Sequence, residues 1–336
     1  MCHIWQKPNG LYDQINFWDQ LDTWIENLEE VELLSGEPFI QKEMSEANRE
    51  QVTAYISSLY KFQIKNIAKS RNLPWDTVWQ IAMQSKAQLP QDANSLGLVD
   101  ALQYETEAKN SAAKLAKMRP ESAHWFDFAK YAKDADPYAY SENKIAVIYA
   151  MGEIMPGKQN PNEQIGSKSF INQLHKAQKD ASIKAIVIRI NSPGGSAFAS
   201  DEMAHEIIAC KKIKPVIVSF GDVSASGGYY MGCVADSIFA LPNTITGSIG
   251  VFALLPNTEK LFGNTLGLNY QTVELGDLSA GWRPDRPLSE KEQQNMQKMI
   301  NSIYDDFITT VSEGRKLSKG RVSELAEGRV YTAEDA

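Results

Sequence analysis

The chain has 336 residues, of which 43% are hydrophobic and 23% charged, proportions ordinary for a soluble globular protein and long enough for more than one domain. A formal net charge of -8 and a pI near 5.2 exclude a surface built for nucleic acid. No apolar run approaches the ~20 residues that span a bilayer, and no basic-then-apolar leader opens the chain. Cys2, Cys210 and Cys233 have neither metal nor disulfide spacing, and no histidine–carboxylate group is spaced as metal ligands, so neither metal nor cofactor is expected.

Residues 1–36 carry Trp5, Trp18 and Trp24 around an acidic run, Glu26 to Glu32, whose periodicity predicts one amphipathic helix without chemistry of its own. A second helix starts at Ser45, with an apolar stripe at Ile56, Tyr60, Ile64 and Ile67. The same segment recurs without a gap 244 positions later: Ser45 matches Ser289, Tyr60 matches Tyr304, Ile64 matches Ile308, Arg71 matches Arg315 and Val78 matches Val322. An internal duplication follows. A partner for Ser226 at the same offset would fall before residue 1, so the first copy is expected to lack its central strands, and the sequence reads as clipped at both ends. The expected divisions are 1–36, an atypical helical segment; 37–102, the C-terminal remnant of a first repeat; 103–142, a connection; and 143–336, a complete repeat.

In the second copy strand, glycine turn and helix alternate. Strands are predicted at 145–150, 185–190, 215–220, 237–240 and 245–252, and a helix from about Gly166 to Lys179. This order implies an α/β fold of stacked parallel sheets flanked by helices. Three strand ends carry candidate chemistry. The strand at 215–220 leads into Ser224-Ala225-Ser226-Gly227-Gly228-Tyr229, where a serine at a helix start has free backbone N–H groups nearby, as a nucleophile beside an oxyanion site requires. The strand at 185–190 ends in Asn191-Ser192-Pro193-Gly194-Gly195-Ser196, whose glycines let the backbone approach a ligand. The third turn, Thr246-Gly247-Ser248-Ile249-Gly250, offers another hydroxyl.

At these three motifs the sequence resembles the signal peptide peptidase A family, also called protease IV, and the resemblance is close over Lys144 to Ala336. It implies a crotonase-like fold shared with Clp proteases and a Ser/Lys-type serine peptidase acting on extended hydrophobic peptides such as released signal peptides. It also implies Ser226 as nucleophile, Gly194 or Gly195 together with Gly227 as the oxyanion hole, and Ser248 as the residue that orients the base. A place at the outer, periplasmic face of the bacterial inner membrane is implied by the resemblance alone. Homo-oligomers are expected both from the resemblance and because a first copy without its central strands leaves the apolar faces of Ile56, Tyr60, Ile64 and Ile67 in want of a partner.

The base is not found. The family uses a lysine shortly before a Glu-Pro-Phe-Ile segment, yet no lysine occurs between Lys7 and Lys42 here, and Leu33 is the nearest match to the position. A buried neutral lysine accepts the serine proton, and without one the chain is expected to be weakly active or inactive. The alternatives are a peptide-binding or oligomerisation module without activity, a crotonase-like thioester enzyme, and a Ser-His hydrolase using His205. His205 itself reads better as a solvent-facing helix residue.

Overall fold

The computed structural model describes residues 42–125, 141–158, 164–253, 255–268, 270–273, 275–276 and 278–336. The helix expected over 1–36 lies outside them, as do Cys2, Leu33 and part of the connection. The chain divides into two compact units, Ile56–Lys144 and the described residues up to Tyr55 together with Ile145–Ala336, so the first division falls inside a helix.

The smaller unit holds most of α1 (Glu46–Arg71), then α2 (Trp75–Met83), α3 (Pro90–Ser95) and α4 (Glu105–Leu115). Ile64 and Ala68, four residues apart and hence on one face of α1, bury against Val78 of α2, with Tyr60, Leu73, Trp79 and Ala82 around them. Trp79 stacks on Trp75 at 5.0 Å and meets Tyr60 edge-on at 6.0 Å. Arg71 donates to the Gly97 carbonyl at 3.0 Å and to both carboxylate oxygens of Asp100 at 2.8 and 3.1 Å, closing the loop that follows α3. Within the stripe Ile56–Tyr60–Ile64–Ile67, then, Ile64 and Tyr60 already have partners, whereas Ile56 and Ile67 stay 50% and 39% exposed.

The larger unit runs β1 (Lys144–Met151), β2 (Glu153–Met155), β3 (Gln164–Gly166), α5 (Ser167–Lys179), β4 (Ile183–Ser192), α6 (Ala197–Lys211), β5 (Val216–Ala225), α7 (Gly227–Gly232), β6 (Ser237–Phe239), β7 (Ile245–Gly247), α8 (Glu290–Arg315), α9 (Lys319–Leu325) and β8 (Val330–Thr332). Six strands form one sheet in the order β1-β4-β5-β7-β8, with β6 also paired to β5, and β2 and β3 form a second, two-stranded sheet. The pairs β4–β5, β5–β6, β5–β7 and β2–β3 are parallel. Helix α6 supplies the crossover from β4 to its parallel neighbour β5, and the short α7 the one from β5 to β6.

Strand β8 departs from these parallel pairs and lies antiparallel to β7. At three residues it is too short to show an alternating pattern in sequence. β7 is also shorter than the span 245–252, because Gly247 at φ 86 and Ser248 at φ 49 turn the chain out of the strand. In contrast, β5 continues past Phe220 through Gly221–Ala225 and carries the chain directly to Ser226.

Apolar alternation sets the core. Ile186, Ile188 and Ile190 of β4 and Val216, Val218 and Phe220 of β5 point to one face, where Phe170 and Leu174 of α5 and Met203 and Ile207 of α6 cover them. Each such side chain contributes about 1.5–3 kcal/mol of burial. Phe307, Ile308 and Val311 of α8 join the same core.

Helices α1 and α8 are both 26 residues long and start 244 positions apart, as α2 and α9 also do. Their ends agree as well. Ser45 accepts from the Asn48 N–H at 3.1 Å, Ser289 accepts from the Glu292 N–H at 3.3 Å, and Asn72 and Lys316 end the two helices in the left-handed region at φ 52 and 57. The duplicated residues thus fold alike in both units.

Candidate active site

Ser226 stands alone between β5 and α7, with φ 49 and ψ -121. That conformation costs a non-glycine residue about 1–3 kcal/mol and persists only where neighbours over-determine it. Two backbone hydrogen bonds do so: the Ser226 N–H donates to the Gly247 carbonyl at 2.9 Å, and the Ser226 carbonyl accepts from the Tyr230 N–H at 2.8 Å. The hydroxyl of Ser226 makes no hydrogen bond to any described residue. Ser248 is held in the same way, at φ 49 with its N–H on the Arg329 carbonyl at 2.6 Å.

The glycine pair comes to the same place from β4. Gly194 has φ +108, and a Cβ there would lie 2.7 Å from Ser226 Cβ, 3.1 Å from Ser226 Oγ and 2.8 Å from the Gly227 nitrogen, so only glycine fits. Gly195, at φ +145, abuts the backbone of Ile154 on β2. The Ile154 N–H donates to Gly194 O, and the Ser196 N–H donates to Ile154 O, both at 2.8 Å. This short parallel bridge fixes the loop from behind.

Its donors divide unequally. The Gly194 N–H is taken by the hydroxyl of fully buried Ser192 at 3.1 Å. The N–H groups of Gly195 and Gly227 meet no acceptor among the described residues.

Ser226, Gly194, Gly195, Gly227 and Ser248 line one cavity of about 1090 Å³. All five predicted site residues therefore share a single space. Sequence reasoning missed the apolar part of its lining, Ile300, Ile303, Tyr304 and Phe307 of α8 together with Val251 and Phe252. In sequence the stripe of α8 reads only as a copy of the one in α1, yet Phe307 and Tyr304 serve both core and cavity. Tyr230, one helical turn from Ser226, is 4% exposed and lies 4.7 Å from the Phe307 ring. Burial pushes its hydroxyl well above the ordinary tyrosine range, while Tyr229 and the Cys233 thiol are each pushed up to about 12 by the same cause.

Glu153, Glu327 and Arg329 are the carboxylates and the cation among the described lining residues; neither lysine nor histidine is there. His205 is exposed on α6 away from the lining, and His175 pairs with Glu206 at 2.7 Å. Lys42 is exposed. Cys210 and Cys233 are buried free thiols, and among the described residues no group of three or more side chains is arranged to hold a metal ion. Likewise no helix of the described residues is long and apolar enough to cross a membrane.

The chain is 35% identical over 315 residues to Protease 4 of Haemophilus influenzae, covering 89% of this chain and 50% of that protein. It is 32% identical to Protease 4 of Salmonella typhi, with 89% and 49% covered. A putative signal peptide peptidase SppA of Enterococcus faecium is 36% identical over 200 residues, 58% of each chain. The chain spans about half the length of the two Protease 4 sequences.

Among solved structures, a point mutant of ClpP1 from Listeria monocytogenes matches with a TM-score of 0.37 and 19% identity, over 56% of this chain and 84% of that one. The Clp protease family model matches residues 140–246, which hold β1 to β6 and most of β7, so the larger unit has a Clp-protease-like α/β fold. The model for peptidase family S49 matches residues 35–119 and 208–336, most of the chain and both duplicated helix pairs, and the chain belongs to that family, the family of Protease 4 and signal peptide peptidase SppA.

Proposed function

We propose that the chain is a serine peptidase that transfers the acyl group of an extended hydrophobic peptide to Ser226. The observation that carries this reading is a serine in a strained left-handed conformation, its hydroxyl unengaged among the described residues, beside two backbone N–H groups without acceptors there, all lining one large cavity. In the reaction a base takes the Ser226 hydroxyl proton as the oxygen attacks the scissile carbonyl carbon, and the N–H groups of Gly195 and Gly227 take the developing oxyanion. The base passes that proton to the amine as the C–N bond breaks, and water then releases the acyl group. Gly194 contributes room rather than a donor, because Ser192 holds its N–H. The aromatic and aliphatic wall supplied by α8 and by Val251 and Phe252 favours apolar substrate side chains.

Ser248 is assigned the orientation of the base, and that base comes from outside the described lining of the cavity. The matched helices support reading 37–102 as part of a first repeat and 143–336 as the second. Released signal peptides fit the apolar wall, and a membrane face is where such peptides are set free.

A fluorophosphonate probe tests the reading. Labelling that disappears in Ser226→Ala is expected, and a folded protein labelled equally well without Ser226 would overturn it. A second reading, a peptide-binding module without turnover, is favoured by the absence of lysine and histidine from the described lining. Leu33→Lys separates the two. A gain of roughly 10²- to 10⁴-fold in cleavage of a hydrophobic reporter peptide is expected if only the base is lacking. Brisk cleavage by the unaltered chain, abolished by Ser226→Ala, would show that a base is already present.

A further inference from the structure

The two free donors at the site open two different helices. The Gly195 N–H lies just before α6 and the Gly227 N–H is the first of α7, so the distance between the donors depends on how those helices are fastened together. One hydrogen bond spans them: the Tyr230 hydroxyl, on α7, donates to Asp201 Oδ1, on α6, at 2.9 Å. The same hydroxyl accepts from Thr310 Oγ1 of α8 at 3.1 Å, which uses both its donor and its acceptor capacity. At its other end Tyr230 is tied to the nucleophile itself, since its backbone N–H donates to the Ser226 carbonyl. The helices meet closely at their starts, where the Ser200 hydroxyl of α6 fills the space beside Gly227 and the Gly194 Cα lies 3.4 Å from where a Gly227 Cβ would stand.

We infer that Tyr230 is a positioning residue, whose hydroxyl, through Asp201 and Thr310, sets the spacing of the Gly195 and Gly227 donors around the oxyanion. This rests on Ser226 being the nucleophile. The ring packs against Phe307 with or without the hydroxyl, so Tyr230→Phe removes the tie and leaves the packing. Asp201→Asn retains an acceptor oxygen, and Asp201→Ala does not. A chemical step that depends on both donors responds to their misplacement in kcat rather than in KM.

The test compares the parent chain, Tyr230→Phe, Asp201→Ala, Asp201→Asn and a core variant, Ile207→Val. Two quantities are read: the fluorophosphonate labelling rate of Ser226, with kcat and KM on a hydrophobic peptide ester, and hydrogen exchange of the segments 191–196 and 224–228. Tyr230→Phe and Asp201→Ala are expected to slow labelling and kcat by about 10- to 100-fold with KM little changed. They should also raise exchange in both segments about 5-fold, the loss of one hydrogen bond. Asp201→Asn should restore both readouts, and Ile207→Val should leave both near the parent values despite a lower Tm.

Exchange that stays at the parent rate in Tyr230→Phe, or that rises equally in Ile207→Val, overturns the inference. If neither the parent nor Leu33→Lys is labelled at Ser226, the peptidase reading fails, and the exchange measurements still decide whether Tyr230 couples the two turns.

Discussion

Gly194 is the residue whose replacement is most sharply constrained. A methyl group there meets Ser226 Cβ and the Gly227 nitrogen at under 3 Å, one a side chain on a fixed turn and the other backbone, and its φ of +108 is closed to alanine. Gly194→Ala is therefore expected to lower stability by about 2–4 kcal/mol, read by urea unfolding, and to abolish fluorophosphonate labelling. The glycine pair and Ser226 were legible in sequence, because glycine after a buried strand has few uses. The division of labour between the glycines was not. It depends on the Ser192 hydroxyl, which reads in sequence as one more small residue before a proline, and whose contact with the Gly194 N–H exists only once the loop has folded. The left-handed backbone of Ser226 was equally hidden, since nothing in the composition of a turn states its φ.

Among the elements, α8 shows how a helix read correctly can still be read incompletely. Its start at Ser289 and its register with α1 follow from the sequence. Its wall in the cavity does not, because the residues that separate α8 from α1 in function, such as Phe307 where α1 has Gln63, have meaning only against Tyr230. Phe307→Ala is expected to cost about 3–5 kcal/mol and to weaken binding of large apolar side chains more than small ones, measured as KM across a peptide series.

The cap of α8 carries a pH dependence. Hydrogen bonds from Arg286, then from the Ser289 backbone and hydroxyl, hold the Glu292 carboxyl down to about 2, against an ordinary 4.5. The folded pKa is depressed, so this contribution is fully present above about 4.5 and is lost as pH falls toward 2. The Tm difference between the parent and Glu292→Gln should be present at pH 6 and vanish near pH 2; a difference constant over that range would refute the assignment.

On the scale of the molecule, the fold class could be read from the alternation of strands, glycine turns and helices, and the duplication from a constant offset. The antiparallel β8 could not, being shorter than any pattern that would reveal it. Self-association belongs to this scale too. The edge strand β1 leaves Ile145, Val147, Tyr149 and Met151 between 51% and 64% exposed, and Ile56 and Ile67 add apolar surface on α1. A long apolar edge strand tends to pair with another chain. Sedimentation at tens of micromolar is expected to show species larger than 37.5 kDa, and Val147→Lys with Tyr149→Lys to shift them toward the monomer. A single monomeric species for the parent would count against an oligomer.

The backbone at Ser226 has one more consequence, for how such a protein changes under selection. Its φ of 49 with ψ -121 is open to glycine and uncomfortable for serine and alanine alike. Ser226→Ala should leave the melting temperature near that of the parent, whereas Ser226→Gly should raise it, by about 2–4 °C for each kcal/mol of strain released. A library screened for heat resistance alone would accordingly fill this position with glycine, and the hardiest clones would be the ones that had given up the hydroxyl.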